Sequence, residues 1–170
     1  MLLRICARAF TTEKGKHMQE HQFNRTKCAC ENCRACCKRQ PGPLAPGDFE
    51  RIVEHFIKTH KLEREVAFQH VKRQLCASPG ALVMQEDGII RRIGSITPKR
   101  VRGRCVFLDE QERCTIHAVA PFGCAYFDTH MGHRAAHPRS VWLAHAQCDP
   151  EYQKLRDALP YAQSYKPTAY

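Results

Sequence analysis

The most regular pattern of apolar and polar residues lies in the segment 48–58. Five apolar side chains stand three or four positions apart and would share one helix face: Phe49, Ile52, Val53, Phe56 and Ile57. The residues between them are mostly charged, and Asp48 stands where an N-cap would satisfy the first backbone N–H groups. The pattern predicts an amphipathic helix that packs its apolar face against a core.

A weaker apolar stripe predicts a second helix. After it, the spacing of the apolar residues changes from that of a helix to that of strands. The second helix is expected over about Leu62 to Leu75, and Ser78-Pro79-Gly80 should end it. Short apolar runs at 81–84 and 89–93 flank an Asp-Gly pair, which favours a β-hairpin.

A second hairpin is predicted where two apolar runs, 105–108 and 114–117, flank a polar loop. Pairing these runs would bring Cys105 and Cys114 to one end of the ladder, although the register stays open. Two short C-terminal helices are predicted at 141–146 and 152–159. Together these elements predict a small single domain of the α+β class, with helices and short β-hairpins.

The length and charge of the chain limit the classes of function that the protein can have. A chain of 170 residues is expected to form one compact domain, and no apolar run approaches the roughly 20 residues of a membrane-spanning helix. The formal net charge is +10, and it is concentrated in residues 1–40 and 89–108. Both basic blocks lie beside cysteines. They could offset the negative charge of metal-bound thiolates or bind a polyanion or an acidic protein partner.

Four cysteines within eight residues are the densest chemical feature of the chain: Cys30, Cys33, Cys36 and Cys37. The surrounding residues are polar and basic, so burial in a core does not explain these thiols. Metal binding, disulfide formation and redox exchange remain. The total of eleven cysteines is odd, which prevents complete internal pairing, and a Cys36–Cys37 disulfide would close a strained ring. By contrast, Cys-x-x-Cys lets two sulfurs converge on one metal ion.

Three blocks of sequence resemble a known family of small cysteine-cluster proteins. The first is Cys30-x-x-Cys33-x-x-Cys36-Cys37, and the second is Gly42-Pro43-Leu44 followed by Pro46 and Asp48. The third joins Cys105-Val106-Phe107-Leu108, Cys114-Thr115-Ile116-His117 and Pro121-x-x-Cys124. Over about residues 28–127 these blocks are similar to the YkgJ-like family, whose domain chelates zinc or iron. Ala120 stands where that family commonly has an arginine, a difference that removes a cation but no ligand.

This resemblance implies a metal site built from seven thiols: Cys30, Cys33, Cys36, Cys37, Cys105, Cys114 and Cys124. Metal binding would clamp the N-terminal cluster onto the second hairpin, so that metal affinity contributes folding free energy. An iron–sulfur cluster and zinc are both open as the bound group. The spacing of the first three cysteines equals the start of a ferredoxin-like run, which favours the cluster. Further candidate ligands are Cys28, Cys148 and His117, whereas Cys76 is expected to be structural.

A histidine-rich segment suggests a second candidate site. It contains His130, His133, His137 and His145, with Asp128 nearby as an oxygen donor. Gly132 and Pro138 disfavour a helix there, so a solvated loop is expected. Two alternatives to a simple metal-chelating protein follow. One is an iron–sulfur-dependent enzyme that uses histidines of 130–145, and the other is a basic nucleic-acid-binding module with structural zinc.

The ends of the chain are predicted to lie outside the domain. Residues 1–17 are basic and apolar, which indicates a leader or a start codon assigned upstream of Met18. The metal-binding cysteine-cluster domain is expected over 18–159, and 160–170 is expected to be a tail. The predicted location is cytoplasmic, or mitochondrial if 1–17 is a presequence.

Overall fold

The computed structural model describes residues 23–26, 35–84, 89–128 and 130–162. Its helices are α1 (Ala35–Arg39), α2 (Asp48–His60), α3 (Arg64–Arg73), α4 (Phe122–Ala125), α5 (His133–Ala146) and α6 (Pro150–Asp157), with a 3-10 turn at His117–Val119. Its strands are β1 (Leu75–Met84), β2 (Ile90–Pro98), β3 (Arg100–Val101) and β4 (Arg104–Cys105). The strands form two antiparallel pairs, β1–β2 and β3–β4, which confirms the predicted α+β class. Among the helices described, none combines the length and hydropathy that a membrane-spanning segment requires.

Helix α2 forms where the apolar stripe predicts it. Phe49, Ile52, Val53 and Phe56 are buried, and they pack with residues of α3 and the strands in the main core. The predicted N-cap is wrong by one position, because Gly47 occupies it with a left-handed φ of 85° and Asp48 is the first helical residue. Glycine adopts this conformation at little cost, and it allows the chain to turn sharply from the proline-rich loop into the helix.

The predicted end of the second helix is wrong. Helix α3 ends at Arg73, and Leu75 already belongs to strand β1. Ser78-Pro79-Gly80 lies inside that strand, where it forms a bulge that shifts the register between Ser78 and Ala81. Gly80 has a φ of 74°, and a Cβ there would lie 1.5 Å from the carbonyl oxygen of Ile93. A proline and glycine in a strand therefore mark a bulge here, as they often do.

The first predicted hairpin is confirmed and is longer than expected, because β1 pairs with β2 from Leu75 opposite Pro98 to Met84 opposite Ile90. One face of its base is apolar. Leu75, Ala77 and Ile96 lie in the main core. The expected turn at 85–88 lies outside the described residues.

The second predicted hairpin is reduced to a single bridge between Leu108 and Cys114. Residues 105–108 turn instead of running as a strand, because the Leu108 N–H donates to the Cys105 carbonyl (3.1 Å). Cys105 pairs with Arg100 across the β3–β4 ribbon. The expectation that Cys105 and Cys114 lie at one end of a shared ladder is therefore wrong.

Helix α5 begins eight residues before the predicted start at Val141 and contains Pro138. Proline supplies no N–H to the preceding turn, and the next two side chains bond to carbonyls of that region. Arg139 Nη1 donates to the Ala135 carbonyl (2.7 Å), and Ser140 Oγ donates to the Ala136 carbonyl (3.1 Å). The expectation of a loop over this part of the chain is thus wrong.

Helix α6 and the proline-rich loop are joined through one buried tyrosine. The Tyr152 hydroxyl accepts from the Ile96 N–H (2.7 Å) and donates to the Leu44 carbonyl (3.0 Å). Burial raises the pKa of this hydroxyl, so it stays protonated as a donor. A second, smaller core of Ala45, Phe122, Trp142 and Leu143 lies on the other side of the loop. The proline-rich loop therefore contributes to both cores.

Candidate metal centre

Four cysteines from four separate segments lie close to one another. Cys37 is in α1, Cys105 ends β4, Cys114 follows the loop after Leu108, and Cys124 is in α4. Negative charge on Cys37 or Cys114 raises the pKa of both Cys105 and Cys124. Charges shift each other's pKa in this way only over short distances, since solvent ions screen distant pairs. The fold thus assembles four of the seven predicted thiols in one region.

Cys124 is positioned by a close crossing of two backbone segments. The Gly42 N–H donates to Cys124 Sγ (3.2 Å), and the Gly123 N–H donates to the Pro43 carbonyl (2.8 Å). A Cβ on Gly42 would lie 2.1 Å from the carbonyl carbon of Gly123, and one on Gly123 would lie 2.2 Å from Pro43 Cδ. Only glycine allows this approach, so both glycines serve the thiol next to them.

The buried carboxylate of Asp48 also stabilises the close approach of these two backbone segments. Its Oδ2 accepts from the Ala45 N–H (2.8 Å) and from the Phe122 N–H (2.7 Å), the first N–H of α4. Its Oδ1 accepts from Arg51, whose guanidinium also reaches the Ala120 carbonyl (3.5 Å). A charged group with no exposed surface is stable only when it is paired in this way. Asp48 therefore fixes the start of α4, and Cys124 with it, relative to α2.

Each of the three distal thiols accepts a backbone N–H. The donor to Cys105 is Phe107 and the donor to Cys114 is Ile116, in each case two residues further along the chain. Both donors have buried side chains in the main core, which fixes their N–H groups. Such hydrogen bonds favour the thiolate over the thiol. They are the local arrangement that a sulfur ligand requires.

Burial shifts the pKa of these thiols in the opposite direction to the hydrogen bonds, and its effect is the larger one. It raises the pKa of Cys105 to about 12, the pKa of Cys124 well above its ordinary value, and the pKa of Cys114 to a smaller extent. Without a nearby cation the three thiols therefore stay protonated at neutral pH. A bound metal supplies the positive charge that makes the thiolates stable. Sulfur donors of this kind suit zinc and iron–sulfur clusters, so the donor set fits both groups.

The chain on both sides of segment 27–34 is attached to this region. On the N-terminal side, the Thr26 N–H donates to the Ala125 carbonyl (2.9 Å), and Arg25 donates to the carbonyls of His117 and Ala118. Arg25 also lowers the pKa of Cys114 through its charge.

On the C-terminal side, helix α1 contacts β4. Lys38 forms an ion pair with Glu112 (2.8 Å), and its carbonyl accepts from Arg100 Nη2 (2.9 Å). The residues that flank 27–34 on both sides therefore lie beside the segments that carry the distal thiols.

The seven-thiol prediction stays a prediction. Cys30 and Cys33 lie outside the described residues, and Cys36 lies in α1 with a side chain outside that description. In the described part of the chain, no three His, Cys, Asp or Glu side chains are close enough to share one metal ion. Four of the predicted ligands are therefore brought near one another, and three are not placed.

The additional candidate ligands differ in their surroundings. Cys148 Sγ donates to the Ala144 carbonyl (3.8 Å), and Cys76 Sγ lies 3.6 Å from both oxygens of Thr97. His117 is exposed in the 3-10 turn, and Cys28 lies outside the described residues. The structural role predicted for Cys76 and the ligand roles predicted for the others stay predictions.

The histidine segment forms a different arrangement from the one expected. His133 and His137 lie one turn apart in α5, and their rings stack with centroids 5.6 Å apart. His130 precedes the helix, and its N–H donates to Asp128 Oδ1 (2.8 Å), so that carboxylate closes a local turn. A metal or acid–base role for these histidines, and for His145, stays a prediction.

Sequence reasoning missed the residues that position the thiols. Gly42, Gly123 and Asp48 lie in matched blocks, but their spacing alone shows neither the glycine crossing nor the bond to Phe122. Arg25 and Thr26 gave no signal beyond the basic charge of the segment. The one available signal was the Cys-x-apolar pattern at 105–107 and 114–116, where the third residue is buried and donates its N–H to the thiol.

Comparison with known proteins identifies one family. The model of the family described as "CxxCxxCC: Putative zinc- or iron-chelating domain" matches residues 29–149. No curated protein and no solved structure matches the chain.

Proposed function

Because the chain belongs to the CxxCxxCC family of zinc- or iron-chelating domains, we propose that it holds an iron–sulfur cluster or zinc through seven thiolates. They are Cys30, Cys33, Cys36, Cys37, Cys105, Cys114 and Cys124. One observation carries the proposal: thiols from four separate segments come together. Cys105 lies in the main core with Cys37 and Cys114 packed against it, and Cys124 accepts the Gly42 N–H (3.2 Å) and interacts with all three.

The leading cluster completes the proposed site. The segment that contains Cys30 and Cys33 is held at Thr26 beside α4 and continues into α1 beside β4. Its thiols therefore need to span only the region between these two attachments. The proposed domain covers 18–159, and the histidines of 130–145 are not needed for this function.

The bound group decides what the site does. An iron–sulfur cluster supplies one-electron transfer, and zinc supplies structural stability. We favour the cluster, because Cys30, Cys33 and Cys36 have the spacing of a ferredoxin-like run. Two tetrahedral zinc sites would need eight ligands, which the seven thiols supply only together with His117 or with one bridging thiolate. A reducing compartment keeps cysteines from forming disulfides, which supports the predicted cytoplasmic location.

Anaerobic purification followed by iron, sulfide and zinc analysis tests this proposal. We expect a coloured protein with iron and acid-labile sulfide in similar amounts. A colourless protein with stoichiometric zinc and no sulfide would replace the cluster by zinc and keep the site. A protein that binds neither metal would refute the proposal.

The ligand set is tested by a pair of matched variants. Cys33→Ser should abolish most metal binding and lower the melting temperature, since metal affinity contributes folding free energy. Cys76→Ser is the control, because Cys76 is a cysteine outside the proposed ligand set. It should keep the metal content of the unmodified protein. Equal metal content in both variants would show that Cys33 is not a ligand.

A further inference from the structure

A cleft of about 600 Å³ is lined by residues of the β1–β2 hairpin, the β3–β4 ribbon and the C-terminal chain. Its size is that of pockets that hold small organic ligands and exceeds the volume of a single ion. Its floor includes Cys76, Ser78 and Thr97, and its rim includes Arg39, Lys99 and Arg100. None of these residues belongs to the proposed metal site, although Arg100 pairs with Cys105 across the ribbon.

The floor of this cleft is a polar face of the β1–β2 hairpin. Cys76 stands opposite Thr97, and Ser78 stands opposite Ser95. All four are buried, whereas the residues between them on the other face are apolar and pack in the main core. A buried sheet face is ordinarily apolar, because burying a hydroxyl without full hydrogen bonding costs free energy. A stripe of hydroxyl groups along a cleft is instead suited to a polar ligand.

The rim of the cleft is cationic, and none of the described residues that line it is acidic. Two of the rim cations donate hydrogen bonds to backbone carbonyls. Lys99 Nζ donates to the Arg73 carbonyl (2.7 Å), and Arg100 Nη2 donates to the carbonyls of Lys38 (2.9 Å) and Gly103 (3.0 Å). These acceptors are uncharged. The hydrogen bonds therefore hold the two cationic groups in place without neutralising them.

The C-terminal chain closes one side of the cleft. Ala77 donates its N–H to the Pro160 carbonyl (2.9 Å), and the Ala162 N–H donates to the Ala77 carbonyl (2.8 Å). This parallel bridge places Tyr161 at the edge of the cleft with 64% of its surface exposed. An exposed aromatic ring beside a cationic cleft offers a surface for the organic part of an anionic ligand.

We propose that this cleft binds a small organic molecule that carries a phosphate group. Three cations with hydroxyl donors exceed what one carboxylate can accept, and they match the several oxygens of a phosphate. Arg39 and Lys99 bind the phosphate by charge, Thr97 donates from the floor, and the Tyr161 ring contacts the organic part. Arg100 holds the ribbon in position as well as contributing charge.

Titration with pyrophosphate and with a nucleoside monophosphate tests the proposal, using sulfate at equal ionic strength as the reference. We expect both phosphate probes to bind and to raise the melting temperature, while sulfate does not. Arg39→Gln or Lys99→Gln should weaken binding about tenfold, as expected for a hydrogen bond to a charged group. Thr97→Val keeps the side-chain shape, removes the hydroxyl and should weaken binding about fivefold.

Arg102→Gln provides the matched control. Arg102 lies in the turn between β3 and β4 and does not line the cleft, but its replacement removes the same charge from the same basic block. It should change the affinity less than about twofold. An equal effect of Arg102→Gln and Arg39→Gln would show that general surface charge is responsible and would overturn the proposal. Binding of single-stranded RNA without binding of either small probe would overturn it in favour of a polyanion surface.

Discussion

Cys124 and Cys76 both form hydrogen bonds with backbone atoms, but the groups around the two thiols differ. Cys124 accepts an N–H from another segment, and its pKa responds to charge on three other cysteines. Cys76 bonds to Thr97 on the neighbouring strand, and no other cysteine is among its partners within the described residues. Low exposure is common to both thiols, so it does not separate a proposed ligand from the control cysteine. The backbone N–H donor and the neighbouring thiols of Cys124 are the features that distinguish it.

The substitution with the largest expected effect disrupts the close approach of the Gly42 and Gly123 backbones, which positions Cys124. In Gly123→Ala the new Cβ would lie 2.2 Å from Pro43 Cδ, so the two segments must separate. We expect the free energy of unfolding to fall by about 3 kcal/mol or more and metal content to fall with it. Denaturant unfolding and metal analysis measure both quantities.

Gly132→Ala is the control for this substitution. A Cβ on Gly132 would have no neighbour within 4 Å, and the residue stands at the N-cap of α5 and takes no part in the crossing. It should cost about 1 kcal/mol or less and leave the metal bound. Similar losses in both variants would mean that the crossing is not what positions Cys124.

Asp48→Asn should have the next largest effect. The amide oxygen of asparagine can replace Oδ2 and still accept from Ala45 and Phe122, but its NH2 group then faces the Arg51 guanidinium, so the ion pair with Arg51 is lost and two donors meet. We expect a loss of about 3 kcal/mol in the free energy of unfolding, together with weaker metal binding. Calorimetric melting and metal titration measure these changes.

Asp149→Asn is the matched control, because Asp149 caps α6 by accepting from the Tyr152 N–H (2.9 Å). Asparagine caps helices about as well as aspartate, so this variant should be nearly neutral. If Asp48→Asn were as mild as Asp149→Asn, the buried carboxylate would not be the element that joins α2 to α4.

Much of this scaffold follows from the sequence, and the exceptions share one physical cause. The stripe of α2 predicts its own burial, and the matched cysteine blocks predict which thiols meet. The strand through Ser78-Pro79-Gly80 and the early start of α5 were not predictable from local signals. Pro79 is tolerated because strand β2 pairs with β1 on both sides of the bulge. Pro138 is tolerated because Arg139 donates to the Ala135 carbonyl in the preceding turn of α5. The glycine crossing is equally hidden, since it depends on two segments about 80 residues apart.

Alkaline pH should lower the free energy of unfolding of the metal-free protein through Cys105. In the unfolded chain Cys105 ionises at its ordinary pKa near 9, whereas in the folded chain its pKa is about 12. The unfolded state therefore loses its proton first, and the stability from this thiol is present below pH 9 and is lost as the pH rises toward 12. Between pH 8 and 10.5 we expect a loss of about 2 kcal/mol from Cys105 alone.

Urea unfolding of chelator-treated protein at the two pH values measures that loss. Tyr152 contributes in the same direction, because burial raises its pKa as well, so the comparison with a Cys105→Ser variant isolates the thiol. The serine variant should lose distinctly less stability between the two pH values. Identical pH dependence in the two proteins would contradict the raised pKa of Cys105.

Arg25→Gln should have the smallest effect and should act on metal affinity more than on stability. Arg25 is exposed, so losing its bonds to the carbonyls of His117 and Ala118 should cost under about 1 kcal/mol. Its charge lowers the pKa of Cys114, and removing that charge makes the thiolate harder to form. Metal affinity at neutral pH should therefore fall a few-fold, and the deficit should shrink as the pH is raised. Arg25→Lys keeps the charge and should restore most of the affinity, whereas equal affinities in the Gln and Lys variants would leave the hydrogen bonds as the only role of Arg25.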